Sequence, residues 1–452
     1  MEDIHEECGV IGLINVAEAA NFAALGLHAL QHRGQESAGI VSCQAGQFHL
    51  IKGMGLVSAV FSKGETANLP GAAAIGHVRY STAGGSNFAN AQPLLARYTG
   101  GEAALAHNGN LARTARLQRE LCTAGALFQT TTDSEIFLHL LAREQAVSDE
   151  DIARVFALAG PAFAVVLLLG DRLIAARDPY GYRPLVLGRL GQGQVVASET
   201  CAFDQIGAVY EREIEPGEML VLSASGSRSL SFAETLPRPA RCLLELIYFA
   251  RPDSLVFGES PHLFRQRSGR LLAAEQPTQA DIVVPIPDSG MSAAMGYAAA
   301  LHLPWERGLI RNHYVGRSFI SPGQEARAAA VRMKNNVVRE VVKDKRVVLV
   351  DDSLIRGTTT AALGNELRRA GAREVHLRIA CPPTRFPCSY GVDFPRHEEL
   401  MAHNYSLPEI RERLNVDSLG YLSLNGMVGL FGDKSDTFCT SCWSGDYRVP
   451  PE

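Results

Sequence analysis

A run of four β-forming residues that ends in two adjacent carboxylates constrains this chain more than any other feature. Residues 347–350 lead into Asp351 and Asp352, and a loop with one glycine and three threonines follows before a helical pattern begins. The run predicts a buried parallel strand that ends at a phosphate site, with the phosphate at a helix N-terminus. The loop offers close backbone approach, hydroxyls and unpaired N–H groups through Gly357, Thr358, Thr359 and Thr360.

Two carboxylates beside a phosphate site indicate a hydrated divalent cation or sugar hydroxyls, because an unpaired acidic pair would repel the phosphate. An ordinary strand and turn with solvated acids is the alternative. The ordered run resembles the diphosphosugar signature of type I phosphoribosyltransferases, which bind 5-phosphoribosyl 1-diphosphate (PRPP). The resemblance implies that Asp351 and Asp352 help to hold one Mg²⁺ per subunit. It also implies that the ribose 5-phosphate is held by Gly357, Thr358, Thr359 and Thr360.

A second segment of this kind spans residues 287–292. Asp288 and Ser289 stand at a predicted strand end, and a glycine follows at the turn. By the same resemblance both residues meet the pyrophosphate of PRPP, and Ser289 joins the magnesium site. Ser289 could instead cap the following helix, and both roles can hold. The segment 311–324 is rich in Gly, Pro and polar residues, which predicts a mobile loop that closes over a reactive intermediate.

The length of 452 residues is too great for one hydrophobic core, so two domains are expected. Strands in groups and helices in pairs predict an α+β domain with antiparallel sheets over residues 8–236. Its predicted strands are 10–15, 38–42, 49–51, 74–78, 103–106, 162–169, 173–176, 185–187, 195–198 and 219–222, and its predicted helices are 22–30, 113–123, 134–144 and 149–158.

A plausible linker at 236–239 contains two prolines, and the pattern changes beyond it. Strands and helices then alternate, which predicts an α/β domain with a parallel sheet over residues 237–452. Its predicted strands are 281–286, 347–350 and 375–380, and its predicted helices are 292–301 and 359–370. Ligands of such sheets bind beyond the carboxyl ends of the strands, where both PRPP-related segments fall.

Charge and hydropathy narrow the class of protein. The net charge of −5 argues against general nucleic-acid binding, and no apolar run is long enough to span a bilayer. The acidic residues 1–7 are unlike a secretory or transit signal. Nine scattered cysteines fit a reducing compartment better than a disulfide scaffold, so a cytoplasmic location is expected.

A cysteine lies near the N-terminus, immediately before a predicted strand. Cys8 could be an incidental or buried small residue. The sharper hypothesis is that residues 1–7 are a propeptide. Their removal would leave a free α-amino group on Cys8, with a pKa of ~8, as general base for its own thiol.

Four further segments support that hypothesis. They contain a turn after a helix, an arginine at a strand end, an amide with a glycine in a turn, and a carboxylate at a helix start: 31–39, 76–84, 107–111 and 131–135. Together with Cys8 they resemble the glutaminase domain of class II, N-terminal-nucleophile amidotransferases, in which stacked antiparallel sheets lie between helices. The resemblance implies that Cys8 attacks glutamine and that the Asn108 side chain and the Gly109 N–H form the oxyanion hole. It implies that Arg79 and Asp133 bind the carboxylate and α-amino group of glutamine, and that Arg33 helps to order the site. Arg79 or Asp133 could alternatively be members of structural ion pairs.

Both halves in this order resemble the family of glutamine phosphoribosylpyrophosphate amidotransferases, over essentially the whole chain. The resemblance implies that ammonia released at Cys8 travels through an internal channel to PRPP and gives 5-phosphoribosylamine, glutamate and pyrophosphate, the first committed step of purine synthesis. A homotetramer inhibited by AMP or GMP is also implied. The chain departs from the family pattern at His313, Asn335, Asn336 and Phe257, which places loop dynamics or nucleotide inhibition in question.

Four cysteines form a possible metal site. The C-x-x-C spacing of Cys439 and Cys442 is used by redox, zinc and iron–sulfur sites alike. Cys242 and Cys388 could complete a four-thiolate site if the fold brings them close. The surroundings of all four resemble those in the family subgroup that has a propeptide and a 4Fe-4S cluster, which implies one cluster per subunit. Structural zinc is the alternative. The default for the other cysteines is a buried free thiol: Cys43, Cys122, Cys201 and Cys381.

Three other functions fit parts of the chain. One is a class II amidotransferase with a different ammonia acceptor, which the diphosphosugar loop disfavours. Another is a PRPP-sensing regulator without turnover, which the negative charge and the intact glutaminase residues disfavour. The third is an inactive paralogue that serves as a structural subunit.

Overall fold

The computed structural model describes residues 8–450 apart from residues 63, 81–84, 146, 313–334 and 393–395. The predicted propeptide of residues 1–7, His313 and most of the predicted 311–324 loop lie outside the described residues. Within the part of the chain that is described, no helix has the length and apolar character needed to cross a membrane.

Two antiparallel sheets form the centre of the N-terminal half. Their strands are β1 (Gly9–Ile14), β2 (Ser37–Gln44), β3 (Gln47–Met54), β4 (Ala73–Arg79), β5 (Leu94–Tyr98), β6 (Gly101–Gly109), β7 (Phe163–Leu169), β8 (Arg172–Arg177), β9 (Val186–Leu190), β10 (Gly193–Ala197), β11 (Val209–Glu213), β12 (Glu218–Ser223) and β13 (Gly226–Ser231). The strand order is β11-β9-β10-β1-β4-β2-β3 in one sheet and β13-β12-β8-β7-β6-β5 in the other. An apolar layer between the sheets joins Val10 and Ile75 of the first to Ala104 and Val166 of the second.

Helices pack on the outer faces of both sheets. They are α1 (Ala19–Ala29), α2 (Val57–Val60), α3 (Thr114–Thr123), α4 (Glu135–Arg143), α5 (Asp149–Ala159) and α6 (Cys201–Ile206). Leu27 of α1 and Phe203 of α6 share one apolar cluster with Ile11 of β1. Phe137 of α4 and Phe156 of α5 share another with strands of the second sheet. The predicted fold, antiparallel sheets between helices, is confirmed.

A parallel sheet forms the centre of the C-terminal half, as predicted. The strands of this half are β14 (Arg241–Cys242), β15 (Ile282–Pro285), β16 (Leu309–Arg311), β17 (Asn335–Val337), β18 (Arg346–Asp351), β19 (Glu374–Ile379), β20 (Ser418–Tyr421) and β21 (Phe438–Cys439). The parallel sheet has the order β15-β18-β19-β20. Asn335 and Asn336 lie in β17, which pairs with β16 in a separate antiparallel ribbon.

The helices of this half are α7 (Pro261–Glu275), α8 (Met291–Leu301), α9 (Arg339–Val342), α10 (Thr358–Arg369), α11 (Met401–Asn404), α12 (Leu407–Arg413), α13 (Leu424–Gly429) and α14 (Ser441–Ser444). A π-helical segment, Glu245–Phe249, lies between β14 and α7. One apolar cluster joins Phe264 of α7, Tyr297 of α8 and Val348 of β18. The two halves also touch each other directly, since the Arg177 guanidinium lies 5.3 Å from the ring centre of Phe257.

Candidate functional site

Strand pairing brings Cys8 to the end of β4. Gly9 lies opposite Val78 in the antiparallel pair of β1 and β4, so the residue before β1 meets the residues that follow Arg79. The Cys8 thiol donates a hydrogen bond to the Tyr80 carbonyl at 3.3 Å, and its side chain is buried. The thiol therefore has a fixed position within the first sheet.

The surroundings of Cys8 hold its thiol in the neutral form. Burial raises its pKa to about 11, although a hydrogen bond with the backbone of Tyr80 and the positive charge of Arg79 act to lower it. The negative charges of Glu36 and Asp133 raise it further. Because only the thiolate is a strong nucleophile, Cys8 needs a nearby base to react at neutral pH.

The two residues predicted to form the oxyanion hole end strand β6, in the second sheet. Asn108 is wholly buried, and neither its amide nitrogen nor its amide oxygen has a hydrogen-bond partner among the described residues. Buried amides are rarely left unpaired, and an amide aimed at a ligand is one explanation. Asn108 is therefore suited to donate to a bound substrate, with the backbone N–H of Gly109 beside it.

Arg79 and Asp133 lie at the same centre, since the charges of both act on Cys8. The Asp133 carboxylate accepts a 2.6 Å hydrogen bond from the Leu111 N–H, just beyond Gly109. The Arg79 guanidinium is buried, lies 3.8 Å from Glu36 and donates to the Gly85 carbonyl at 3.3 Å. One cation and one anion in this arrangement could bind the two charged groups of an α-amino acid, which stays a prediction for both residues.

Arg33 contacts the backbone of Cys8, the predicted nucleophile. Its Nε donates to the Cys8 carbonyl at 3.0 Å, and its guanidinium pairs with Glu199 at 2.5 Å and with Glu245 at 2.7 Å. Burial alone would lower the pKa of Arg33, but the two carboxylates raise it well above its usual range. The contacts described here are with the protein, so a contact of Arg33 with glutamine stays a prediction.

The diphosphosugar segment has the predicted strand–loop–helix arrangement. Strand β18 ends at Asp351, and both carboxylates are buried. The N–H of Asp352 donates to Asp351, and the Ser353 hydroxyl donates to Asp352 at 2.6 Å. Helix α10 begins at Thr358, directly after Gly357 with its φ of 75°. The N–H groups of its first turn, from Thr358 to Thr360, therefore point out of the helix end as an anion site needs.

The second PRPP-related segment lies beside the first. Ile286 donates from its N–H to the Val350 carbonyl at 2.8 Å, which holds the loop with Asp288 and Ser289 against the end of β18. Asp288 forms a 2.8 Å ion pair with Arg311, and both side chains are half exposed. Gly290, not Ser289, precedes α8, and no side chain caps that helix. The alternative role of Ser289 as helix cap is therefore wrong, because the helix begins one residue further along the chain.

No group of three or more His, Cys, Asp and Glu side chains among the described residues converges to hold a metal ion by itself. Mg²⁺ commonly binds one or two carboxylates together with waters and substrate phosphates, and a magnesium site at Asp351 and Asp352 stays a prediction.

The four cysteines of the possible metal site line one cavity. The other lining residues are Tyr182, Leu244, Tyr390, Val392 and Ser441. Burial raises the pKa of Cys242 to about 12 and raises the pKa of Cys439 and Cys442. The charges that neighbouring thiols would carry add to the effect at Cys442, from Cys439, Cys388 and Cys242 and also from Cys381 outside the cavity.

All nine cysteines are free thiols. Cys43, Cys201 and Cys381 are buried, as expected, but Cys122 is exposed. The expectation of burial was wrong there, because Cys122 lies on the solvent side of α3, where Leu121 is the buried residue.

Several contacting residues were not singled out from the sequence. Glu199 and Glu245 surround Arg33, and Arg183 lies within 3.6 Å of Glu245. Burial would raise the pKa of Glu199, but His32 and Arg33 lower it well below its usual range. Glu245 does carry a sequence signal, because it is one acid within an apolar run, and a buried acid needs a partner.

Comparison with known proteins agrees with the two halves. The family described as "Glutamine amidotransferase domain" matches residues 77–205, and the family described as "Phosphoribosyl transferase domain" matches residues 263–387. Each match lies in the half where the corresponding candidate site is found.

Relatives match over the whole chain. The chain is 47% identical to the chloroplastic amidophosphoribosyltransferase of Vigna aconitifolia, over 100% of this chain and 93% of the relative. It is 46% identical to the amidophosphoribosyltransferase of Bacillus subtilis, over 99% of this chain and 95% of the relative. The structure of glutamine PRPP amidotransferase from B. subtilis in complex with ADP and GMP superimposes with a TM-score of 0.93 and 44% identity, over 98% of both chains. The chain therefore belongs to the amidophosphoribosyltransferase family.

Proposed function

We propose that this chain releases ammonia from glutamine at Cys8 and transfers it to PRPP at the carboxyl end of β18. Glutamine-dependent amidotransfer to PRPP in purine biosynthesis is the reaction of the family to which the chain belongs. The observation that carries the assignment of residues is the buried, unpaired amide of Asn108, which ends a strand next to the Cys8 centre.

The first half-reaction is the release of ammonia from glutamine, and the residues around Cys8 have different roles in it. The thiolate attacks the side-chain amide carbon of glutamine, and the oxyanion that forms accepts hydrogen bonds from the Asn108 side chain and the Gly109 N–H. The proton taken from the thiol passes to the leaving nitrogen, the carbon–nitrogen bond breaks and ammonia leaves. Water then cleaves the thioester, which gives glutamate and restores the Cys8 thiol. Arg79 and Asp133 bind the charged end of glutamine, while Arg33 holds the backbone of Cys8.

Removal of residues 1–7 activates the thiol. A pKa of about 11 leaves almost no thiolate at neutral pH. The α-amino group of a new N-terminus at Cys8 would be a base with a pKa of ~8, attached to the same residue. The acidic segment is thus a propeptide in this proposal.

The second half-reaction takes place between the two loops at the end of β15 and β18. Gly357 and the threonines of α10 bind the ribose 5-phosphate, and the loop with Asp288 and Ser289 faces the pyrophosphate. Asp351, Asp352 and Ser289 would hold Mg²⁺, which supplies charge neutralisation for the leaving pyrophosphate. The nitrogen of ammonia attacks C1 of PRPP, and the C1–oxygen bond to pyrophosphate breaks. A dry internal path would keep ammonia unprotonated.

The four cysteines fit a 4Fe-4S cluster. Four thiols line one cavity, while no three of the metal-binding side chains described converge on a single ion. We prefer a cluster to structural zinc because the surroundings of all four cysteines resemble those of the cluster-containing subgroup, whereas four thiolates alone suit either group. Cys242, Cys388, Cys439 and Cys442 would hold it, and its role would be structural.

Purine nucleotides are the proposed regulators. The related B. subtilis structure is titled as a complex with ADP and GMP, which supports AMP or GMP as inhibitors of this chain. A cytoplasmic homotetramer completes the proposal, and it rests on the family alone.

The decisive experiment measures glutamate release from glutamine by anaerobically purified protein, with and without PRPP and Mg²⁺, and pyrophosphate release alongside. Glutamate release that increases sharply with PRPP, with an equal amount of pyrophosphate, is the expected result. Cys8→Ser should abolish glutamine-dependent activity but retain synthesis from added ammonia. Cys122→Ser is the matched control, because Cys122 is an exposed thiol on the solvent side of α3.

Other outcomes identify the other functions. Glutamate release that does not respond to PRPP would indicate a different ammonia acceptor. No release from protein that mass spectrometry shows to begin at Cys8 would indicate a regulator or an inactive structural subunit.

A further inference from the structure

The loop that carries Cys388 is tied to a buried arginine of the N-terminal half. The Tyr390 N–H donates to the Cys388 sulfur at 3.3 Å. The Tyr390 carbonyl accepts from Arg183 twice, from Nε at 3.2 Å and from Nη2 at 2.6 Å. The ring of Tyr390 also stacks on that of Tyr182, with centres 4.2 Å apart. Arg183 therefore holds the backbone beside Cys388, one of the four thiols, through hydrogen bonds.

The same arginine extends to the nucleophile through charged side chains. Its Nη1 lies 3.6 Å from Glu245, whose carboxylate accepts two hydrogen bonds from Arg33, at 2.9 and 2.7 Å. Arg33 in turn holds the Cys8 carbonyl. Arg33, Arg183, Glu199 and Glu245 are all buried, and their two positive and two negative charges balance. Such a network is sensitive to the loss of any one member, because each loss leaves an unpaired buried charge.

A second contact joins the 388–391 loop to the turn at Gly109 and Asn110, which follows Asn108 and is named the oxyanion turn. Gly391 has a φ of 110°, and a methyl group added there would lie 2.9 Å from the Asn110 nitrogen and from the Gly109 carbonyl carbon, and 3.0 Å from Nη2 of Arg183. The loop backbone therefore packs directly on the turn that follows Asn108. The Asn110 side chain also donates to the Ser389 carbonyl at 3.5 Å. An apolar cluster with Ala112, Tyr182 and Tyr390 surrounds this contact.

We propose that Arg183 and the 388–391 loop are positioning elements of the glutaminase centre, which link the four-cysteine cavity to both halves of that centre. Arg183 acts on Cys8 through Glu245 and Arg33, and Gly391 acts on the oxyanion turn by direct packing. Binding of a cluster at Cys388 would thereby fix the nucleophile and the oxyanion hole together. The proposal rests on the proposed cluster and on the proposed role of Cys8, and the experiment separates the three.

Three variants test the proposed link between the four-cysteine cavity and the glutaminase centre. Arg183→Met removes the charge and the hydrogen bonds, and Arg183→Lys keeps the charge but loses the two hydrogen bonds to the Tyr390 carbonyl. Gly391→Ala adds a methyl group against the oxyanion turn. Arg177→Met is the matched control. Arg177 is an equally buried arginine that also contacts the other half, at Phe257, but its polar partners are Ile214, Gly181 and Glu213 and include no residue of either centre. Each variant is assayed for kcat and KM with glutamine, for synthesis from added ammonia, and for iron and sulfide content before and after timed exposure to air.

Misplacement of reacting groups by a fraction of an ångström lowers kcat more than binding, so we expect glutamine-dependent kcat to fall about tenfold to a hundredfold in Arg183→Met and Gly391→Ala. The KM for glutamine and the ammonia-dependent rate should stay within about threefold. Arg183→Lys should recover part of the loss. Arg183→Met should also lose iron in air several-fold faster than unaltered protein, since its Cys388 loop is no longer anchored. Arg177→Met should leave the ratio of the two activities unchanged.

The proposal is overturned if both activities fall by the same factor in Arg183→Met and Gly391→Ala, or if neither the ratio nor the rate of iron loss changes. If Arg183→Met yields no folded protein, Arg183→Lys and Gly391→Ala decide by the same ratio. Unaltered protein that contains no iron refutes the cluster and, with it, the proposed link. Unaltered protein that has iron but releases no glutamate refutes the role of Cys8.

Discussion

Cys242 lies directly opposite Cys439 in a parallel pair of two-residue strands, in which Arg241 likewise lies opposite Phe438. One strand follows the predicted linker between the halves, and the other belongs to the C-terminal part of the chain. Backbone pairing therefore holds two of the four thiols side by side. A cluster at this position would tie the C-terminal segment to the start of the phosphoribosyltransferase half.

The variant Cys439→Ser tests that cross-link. We expect it to lose bound iron and sulfide, and its thermal midpoint should decrease by roughly 5–10 °C, since a cross-link between distant parts of a chain restricts the unfolded state most. Metal analysis and thermal unfolding under anaerobic conditions measure both effects. Cys122→Ser removes an exposed thiol and should change neither. Iron at the level of the unaltered protein in Cys439→Ser would contradict a four-thiolate site.

The variant Asn108→Ala tests the oxyanion hole. Removal of one such donor should decrease glutamine-dependent kcat by about 10²–10³-fold, with a small change in the KM for glutamine. Synthesis from added ammonia should continue, because that half-reaction does not use Asn108. Neither amide atom of Asn108 has a partner among the described residues, so the variant should not unfold more easily than the unaltered protein. A change in kcat smaller than about threefold would remove Asn108 from the proposed mechanism.

Local patterns predicted the residues that lie at strand ends. The carboxylates after β18 and the helix that begins at Thr358 follow from four β-formers, a glycine and a helical run. Strands β11 and β13 were missed, because none of their residues is buried and no alternating apolar pattern marks them. Helix α7 was missed as well, since its buried face includes Arg265, Ser268 and Gly269. Those residues break the apolar stripe that identifies a helix.

Sequence patterns did not predict the contacts between residues that are far apart in the chain. The contacts of Arg33 with Glu199 and Glu245 join residues that are far apart in the chain, and no local pattern indicates which of the charged residues will meet. The packing of Gly391 against Gly109 likewise joins residues that are far apart in the chain. Burial of charges is decided by which surfaces meet in the folded chain, so such contacts require the structure.

The variant Gly357→Ala tests the phosphate loop. Gly357 has a φ of 75°, and an added methyl group would lie 2.6 Å from the Met401 methyl carbon, so both the backbone and its neighbour must move. We expect the KM for PRPP to increase about tenfold, with a loss of stability of about 1 kcal/mol. Gly371→Ala is the matched control, because Gly371 has a φ of 99° at the opposite end of the same helix. A KM for PRPP that rises equally in both variants would indicate general damage.

The pH dependence of Cys8 alkylation tests the role of the new N-terminus. In the unprocessed chain the pKa of the thiol is about 11, so a fraction of only about 10⁻⁴ is thiolate at pH 7. Alkylation of Cys8 by iodoacetamide, quantified by peptide mass spectrometry, should therefore increase about tenfold per pH unit up to roughly pH 10. In protein that begins at Cys8, the α-amino group with its pKa of ~8 accepts the thiol proton, so the rate should level off near that pH. Alkylation of exposed Cys122 in the same samples corrects for the reagent. A processed protein whose Cys8 rate continues to rise as steeply as that of the unprocessed chain would exclude the α-amino group as the base.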